Sequence, residues 1–190
     1  GTVVSAAHVS KDPARQPLNL KKFIREYEIP VIVGGCASYS TALHLMRTGA
    51  VGVLVGVGPG HACTSRGVLG IGVPQATAIA DAAGARIRHL DETGVYVQVI
   101  ADGGMRTGGD IAKAIACGAD AVMIGSPLAS AYEAPWRGYH WAMATFHPSL
   151  PRGARSYAGQ KRTGDGARAG PAPPTAGTRH LLRSMPTSAP

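Results

Sequence analysis

Residues 95–126 contain the building unit of the fold in full: VYVQVIADGGMRTGGDIAKAIACGADAVMIGS. Both ends are short apolar segments followed at once by a glycine-containing turn, and a segment of helical periodicity lies between them. Two apolar strands joined through a helix predict a parallel βαβ unit. The same order of strand, glycine turn, helix and glycine stop precedes this stretch. We therefore expect an α/β fold on a parallel sheet that is buried on both faces.

Proline and glycine positions set the limits of the other expected elements, because proline breaks a helix and glycine favours its C-terminal end. The predicted strands are residues 31–33, 51–55, 95–101 and 121–124. The predicted helices are residues 20–28, a helix capped by Ser38 or Ser40, residues 74–85 and residues 111–117. Residues 89–94 are predicted to form a charged turn, and residues 2–9 include a short apolar stretch.

A glycine-rich segment, residues 56–72, follows the strand at 51–55 and reads GVGPGHACTSRGVLGIG. Its glycines and Pro59 predict an open loop. Near its centre Cys63 precedes two hydroxyl side chains and the cation of Arg66. A thiol on a loop beyond a buried strand is where an α/β enzyme places a nucleophile. A small cysteine buried in a tight turn explains the pattern equally well at this point.

Two turns follow consecutive predicted strands and predict a nucleotide or sugar-phosphate site. The first is Asp102-Gly103-Gly104, and the second, about twenty residues on, is Gly125-Ser126. Glycines let backbone N–H groups approach a phosphate closely, and Ser126 adds a hydroxyl donor. Asp102 is repelled by a phosphate and suits ribose hydroxyls instead. The alternative is that these glycines only make tight turns.

Composition predicts one domain without a membrane segment. The chain has 190 residues, 45% of them hydrophobic, with neither an apolar run long enough to span a membrane nor a signal-peptide pattern. The three cysteines, at positions 36, 63 and 117, form no CxxC pair. They fit a reducing compartment better than a disulfide scaffold or a zinc site, so we expect a cytoplasmic protein.

The net charge of +8 belongs mostly to the end of the chain, since residues 1–150 carry +2 and residues 151–190 carry +6. No aromatic-lined or motif-bearing surface accompanies this charge, so no specific nucleic-acid partner is predicted. Residues 156–190 are rich in Gly, Ala, Pro, Arg, Ser and Thr. We expect a folded domain over residues 1–155 and a basic tail over 156–190 that is disordered or arises from a frameshift.

The motifs together resemble the IMP dehydrogenase/GMP reductase family, over residues 2–155 and in family order. They are the cysteine loop at 58–66, the segments IADGGMR at 100–106, GDIAKAI at 109–115 and AVMIGS at 121–126, and Glu133-Ala134-Pro135. His140-Trp141 and the segment LPRG at 150–153 resemble the IMP dehydrogenase-related third branch, known from cyanobacteria and actinobacteria.

The resemblance implies the C-terminal part of a (β/α)8 barrel, about four βα units, in which Cys63 attacks C2 of a purine nucleoside monophosphate (IMP, GMP or XMP). Ser65 takes the position of the family's catalytic threonine. Asp102 is then expected to bind the ribose, and Gly103, Gly104, Gly125 and Ser126 the 5′-phosphate. Further implied sites are Gly56 and Gly58 for NAD or NADP(H), and the carbonyls of Gly58, Gly60 and Cys63 for K⁺.

Departures from the family pattern qualify these expectations. His61 stands where the family has a phosphate-contacting serine, and Cys36 replaces an asparagine near the substrate. We expect Cys36 and Cys117 to be structural, because neither lies in a comparably activating loop. We assign no role to His140 and Trp141.

The chain is also shorter than a whole barrel, which takes about 250 residues. We therefore expect roughly the last four strands, beginning near the end of the fourth, with two open sheet edges and no activity in these residues alone. The family resemblance also implies a homotetramer. Two alternatives remain: an FMN-dependent barrel oxidase, which shares the Ala-Asp-Gly-Gly turn, and a non-catalytic nucleotide-binding fragment.

Overall fold

A computed structural model describes residues 2–5, 18–27, 29–63, 65–134, 138–140 and 156–157. The chain divides into two compact units. The first unit comprises Gly1–Pro59 and Ser65–Met123, and the second comprises Gly60–Thr64 and Ile124–Pro190.

The first unit is built on a five-stranded parallel sheet with the strand order β1-β2-β3-β4-β5. The register aligns Val33 with Val53, and Ile100 with both Leu54 and Ala121. The expected parallel α/β arrangement is therefore confirmed, and the apolar stretch at the N-terminus supplies the first strand. The strands are β1 (Thr2–Ser5), β2 (Val31–Cys36), β3 (Gly52–Val55), β4 (Gln98–Asp102) and β5 (Ala121–Met123).

Five helices connect or follow these strands in the first unit. Side chains at three N-termini accept a hydrogen bond from the first turn, as the sequence leads us to expect of Asn, Ser and Thr. Thr107 and Asp110 form a reciprocal capping box at the start of α5. The helices are α1 (Leu20–Glu26), capped by Asn19, α2 (Tyr39–Met46), capped by Ser38, α3 (Ser65–Leu69), α4 (Gln75–Thr93) and α5 (Gly108–Ala116).

The core lies between the central strands and helices α2 and α4. Val33, Val55 and Val99 are fully buried, and so are Leu45 and Met46 of α2. Burial weakens at β5, where Met123 is 41% exposed. The expectation that every strand is buried on both faces is therefore wrong for β5. That strand lies at the end of the described sheet and pairs with β4 alone among the described residues.

Helix α4 is longer than the sequence predicted, and the charged turn expected at 89–94 is wrong. The buried positions Ala78, Ala82, Ala85 and His89 recur at helical spacing, so one face stays against the core through His89. On the outer face Arg88 pairs with Glu92 one turn later. The helix ends where Gly94 adopts a left-handed conformation, with φ of 70°.

The segment expected to be an open loop after β3 contains a short helix, α3, which begins two residues after the cysteine. Its last turn is closed by a hydrogen bond of 3.1 Å from the Gly70 amide to the Arg66 carbonyl. The sequence analysis missed this helix because of the glycines at positions 67 and 70, since glycine is a poor helix former.

The second unit contributes one short helix and a strand pair to the described residues. These are α6 (Ser126–Ala129), β6 (Tyr139–His140) and β7 (Ser156–Tyr157). Strands β6 and β7 are antiparallel, with Tyr139 opposite Tyr157. Two residues of the expected tail are therefore in a strand, and residues 158–190 lie outside the described part. None of the described helices is long and apolar enough to cross a membrane.

Candidate active site

Cys63 lies in the five-residue segment Gly60–Thr64, which belongs to the second unit. Its amide donates a hydrogen bond of 3.1 Å to the Gly60 carbonyl, which folds the segment into a turn. The thiol forms no disulfide and the residue is half-buried. A half-buried cysteine in a glycine turn can be reached by a small electrophile, as a nucleophile must be. The Gly60 carbonyl, one of the expected K⁺ ligands, accepts this amide and keeps a second lone pair.

The base of the cysteine loop is closed within the first unit. Gly58 has φ of 69°, and a Cβ there would lie 3.1 Å from the Cβ of Ser65. Ser65 is the first residue of α3, so the expected hydroxyl side chain lies at the start of that helix. The guanidinium of Arg66 donates to the carbonyls of Val57 and Val73, at 3.1 and 2.7 Å.

The turn after β4 has the geometry that the sequence indicated. Asp102 is the last residue of the strand, and both following glycines have positive φ, 83° and 81°. The Gly103 amide donates to the Met123 carbonyl at 3.1 Å, which ties this turn to the end of β5. Burial raises the pKa of the Asp102 carboxyl above its usual value. A half-buried carboxyl at a strand end can accept hydrogen bonds from ligand hydroxyls.

Gly56 is required by the protein's own packing. It has φ of 142°, and a Cβ there would lie 2.6 Å from the Asp102 carbonyl oxygen. The same Cβ would lie 2.9 Å from Nε2 of Gln75. The close approach of β3, β4 and α4 therefore explains this glycine without a ligand. The expected role of Gly56 and Gly58 in cofactor binding remains a prediction.

Gln75 is a site-lining residue that the sequence analysis missed. Its Nε2 donates a hydrogen bond of 2.6 Å to the Val55 carbonyl at the end of β3. Its Oε1 is buried and has no hydrogen-bond partner in the described part of the chain. Gln75 also lines a cleft of about 140 Å³ with Gly104, Met105 and Lys113.

The second predicted glycine turn, Gly125-Ser126, belongs to the second unit and opens α6. A Cβ at Gly125 would meet no atom of the described residues within 4 Å. Ser126 is the first residue of the helix, followed by Pro127. The expected role of Gly125 and Ser126 in phosphate binding remains a prediction.

The other two cysteines differ in environment. Cys36 is 2% exposed, its Sγ lies 3.5 Å from the Leu54 carbonyl, and burial raises its thiol pKa to about 12. These properties fit the expected structural role. Cys117 caps the C-terminus of α5 through its amide. His61 is half-buried, and Trp141 and Pro135 lie outside the described residues.

Comparison with known proteins decides what these parts belong to. The model of the IMP dehydrogenase/GMP reductase domain matches residues 2–165 of the 190. The chain belongs to the IMP dehydrogenase/GMP reductase family. The expected resemblance is thus confirmed, and the match extends past the predicted domain boundary at residue 155. The assignment to the third branch remains a prediction.

Family members similar to the chain are longer than it is. An uncharacterized oxidoreductase of Mycolicibacterium smegmatis is 59% identical over 156 residues, which are 81% of this chain and 41% of that protein. The chain therefore spans about two fifths of the length of this curated relative. The general function of the family is oxidoreduction.

Two solved structures confirm the expected fold class, the C-terminal part of a TIM barrel. An IMP dehydrogenase/GMP reductase-like protein from Corynebacterium glutamicum has a TM-score of 0.66 and 52% identity, over 83% of this chain and 40% of that one. A cysteine-to-alanine variant of Trypanosoma brucei GMP reductase, in complex with guanosine 5′-monophosphate, has a TM-score of 0.53 and 43% identity. That match covers 61% of this chain and 24% of the reductase.

Proposed function

We propose that the chain belongs to an oxidoreductase that acts at C2 of a purine nucleoside 5′-monophosphate through a covalent bond to Cys63. The observation that supports this most directly is the half-buried position of Cys63, which is in no disulfide, in the family's cysteine loop. A thiolate adds to the electron-poor C2 carbon and divides one difficult substitution into two easier steps.

The atoms balance in either direction. In the dehydrogenase direction the Cys63 thiolate bonds to C2 of IMP, the C2 hydrogen leaves as hydride, and water then cleaves the carbon–sulfur bond to give XMP. In the reductase direction the thiolate bonds to C2 of GMP and the 2-amino group leaves as ammonia. Hydride added at C2 then expels the thiolate and gives IMP. A bound NAD or NADP(H) supplies the hydride acceptor or donor.

The remaining site residues receive separate roles. Ser65, in the position of the family's catalytic threonine, holds or moves a proton through its hydroxyl. In the first unit Asp102 accepts hydrogen bonds from ribose hydroxyls, and Gly103 and Gly104 let the backbone approach the nucleotide. In the second unit Gly125 and Ser126 donate to phosphate oxygens. We propose further that the carbonyls of Gly58, Gly60 and Cys63 would bind K⁺. We also propose that the whole protein forms a homotetramer.

We also propose that these 190 residues alone do not complete the reaction. The described sheet is an open row of five strands, whereas the barrel that surrounds such a site has eight. Nicotinamide contacts and part of the substrate contacts, which the other strands would make, are then missing, whereas the ribose and phosphate contacts proposed above are present. Positioning accounts for a large part of an enzyme's rate.

The test is protection of Cys63 from iodoacetamide by IMP and GMP, mapped by peptide mass spectrometry on the purified chain. Each nucleotide is expected to slow the alkylation of Cys63 at least tenfold, because the bound purine covers this cysteine. The alkylation rate of Cys117 is expected to stay unchanged, because the purine does not cover it. Inosine and guanosine, which lack the phosphate, are the matched ligands and are expected to protect at least about tenfold less well at equal concentration. Protection by neither nucleotide would contradict the proposed function.

Turnover is measured in the same preparation with IMP and NAD, and with GMP and NADPH, through the nicotinamide absorbance. We expect no rate above that of Cys63→Ser. A clear rate that Cys63→Ser abolishes would disprove the proposed inactivity and support the proposed chemistry. A yellow, flavin-containing protein would favour the barrel oxidase instead.

Asp102→Asn is expected to weaken nucleotide binding about 10- to 100-fold, because a hydrogen bond to a charged group contributes about 1.5–3 kcal/mol.

The same Asp102→Asn change is expected to raise the free energy of unfolding at neutral pH. A carboxyl whose pKa is raised in the folded state binds its proton more tightly there, so stability falls as pH rises through that pKa. Thermal unfolding at pH 7, with the exposed Asp91→Asn as control, checks the sign. A lower melting temperature for Asp102→Asn would contradict it.

A further inference from the structure

We propose that Arg66 is a positioning residue that fixes the two arms of the cysteine loop to each other through the fork of its guanidinium. Arg66 lies three residues after Cys63, in α3. The bridge itself is independent of the reaction, and only its consequence for catalysis rests on the proposed function.

The bridge joins residues on both sides of the cysteine. Nε donates to the Val57 carbonyl, which precedes Cys63, at 3.1 Å. Nη2 donates to the Val73 carbonyl, directly before the Pro74-Gln75 start of α4, at 2.7 Å. The Arg66 side chain thus holds the two ends of the segment from 57 to 73 at a fixed distance from each other. Hydrogen bonds from a charged donor are about twice as strong as neutral ones.

Two glycines enclose the Arg66 side chain. A Cβ at Gly72 would lie 2.7 Å from its Nε and 3.0 Å from its Cδ and Cγ. A Cβ at Gly58 would lie 3.2 Å from its Cγ. The absence of a side chain at these positions is therefore what lets the arginine lie between the two arms. Gly72 has no left-handed backbone, so packing alone accounts for it.

The geometry favours arginine over any other cation. A planar guanidinium presents donors in a rigid fork, whereas a lysine ammonium is a single point charge on a flexible stem. A lysine at 66 keeps the charge and loses the simultaneous contact to two carbonyls. If the two hydrogen bonds of the guanidinium matter, Arg66→Lys should change the behaviour of the loop. If only the positive charge matters, Arg66→Lys should leave it unchanged.

The first experiment compares Arg66→Lys and Arg66→Gln with the exposed Arg88→Lys in the whole chain. If the fork acts, both Arg66 variants exchange the amides of residues 57–73 at least about tenfold faster, and both alkylate Cys63 about tenfold faster. Arg88→Lys is expected to match the unmodified chain in both readouts. If charge near the thiol acts instead, Arg66→Lys keeps the original rates and Arg66→Gln alkylates more slowly, which would overturn the proposal.

The second experiment reaches the bridge without changing Arg66. Gly72→Ala places a methyl group in the space of Nε, so it is expected to reproduce the faster exchange and alkylation. Its matched control is Gly67→Ala in the same segment, where a Cβ meets no atom of the described part of the chain within 4 Å. Equal behaviour of the two alanine variants would also overturn the proposal.

The outcomes separate this inference from the proposed function. Faster exchange with unchanged Cys63 alkylation would overturn the positioning role of Arg66. If IMP and GMP fail to protect Cys63 while both Arg66 variants loosen the loop, the proposed function fails and the bridge is supported. An equal melting temperature in Arg66→Lys and Arg88→Lys is expected, since the bridge acts on the loop rather than on the core.

Discussion

Alkylation of Cys36 in the folded chain is expected to be about 1,000-fold slower than that of an exposed cysteine at the same pH, because only the thiolate reacts. Burial raises the pKa of Cys36 from 9.0 to about 12. The thiolate fraction below pH 9 falls by the corresponding factor. Incomplete access to a side chain that is 2% exposed slows the reaction further.

The measurement is quantitative mass spectrometry of the three cysteine peptides after timed exposure to iodoacetamide at pH 8. Cys63 is the internal comparison in the folded chain. In strong denaturant Cys36 is expected to react as fast as the other two, which controls for any effect of the neighbouring sequence. Equal rates for Cys36 in the folded and denatured chain would contradict the structural role assigned to this thiol.

Gly56→Ala is expected to lower the free energy of unfolding by about 3 kcal/mol, which combines backbone strain with overpacking. The backbone at Gly56 has φ of 142°, and the added methyl group would lie 2.6 Å from the Asp102 carbonyl oxygen. Relief requires β3 and β4 to separate at their C-terminal ends. The Asp102 turn would then move with them.

Gly70→Ala is the matched control, because Gly70 has φ of 65° and a Cβ there meets no atom within 4 Å among the residues that the structure describes. It is expected to cost only about 1 kcal/mol, the price of a left-handed alanine. Urea unfolding followed by circular dichroism measures both variants. If the two alanines cost the same, close packing at the end of β3 is not what requires a glycine at position 56.

The local elements were predictable because their signals are local. Asn19 and Ser38 cap helices by bonding their own first turns, which needs no distant partner. The predicted turn of Asp102, Gly103 and Gly104 depends on consecutive glycines with positive φ. The order of apolar strands and helices likewise predicted a parallel sheet, because a crossover helix joins strands that run in the same direction.

Features that depend on distant contacts were missed. Helix α4 extends past residue 85 because His89 is buried, which periodicity in a charged segment did not reveal. Strand β5 is as apolar as its neighbours, yet it is exposed because it ends the described sheet. Gln75 bonds to Val55, twenty positions away, and no local pattern marks such a contact.

The sequence by itself determined the family, the parallel α/β order and the candidate residues of the cysteine loop and the two glycine turns. Those depend on residue identity and spacing, which the chain states directly. Only the tertiary structure decided why Gly56 and Gly72 must be glycines and what Arg66 contacts. These three features depend on atoms of chain segments that come into contact only after folding. The spacing of residues along the sequence does not give the distances between such atoms.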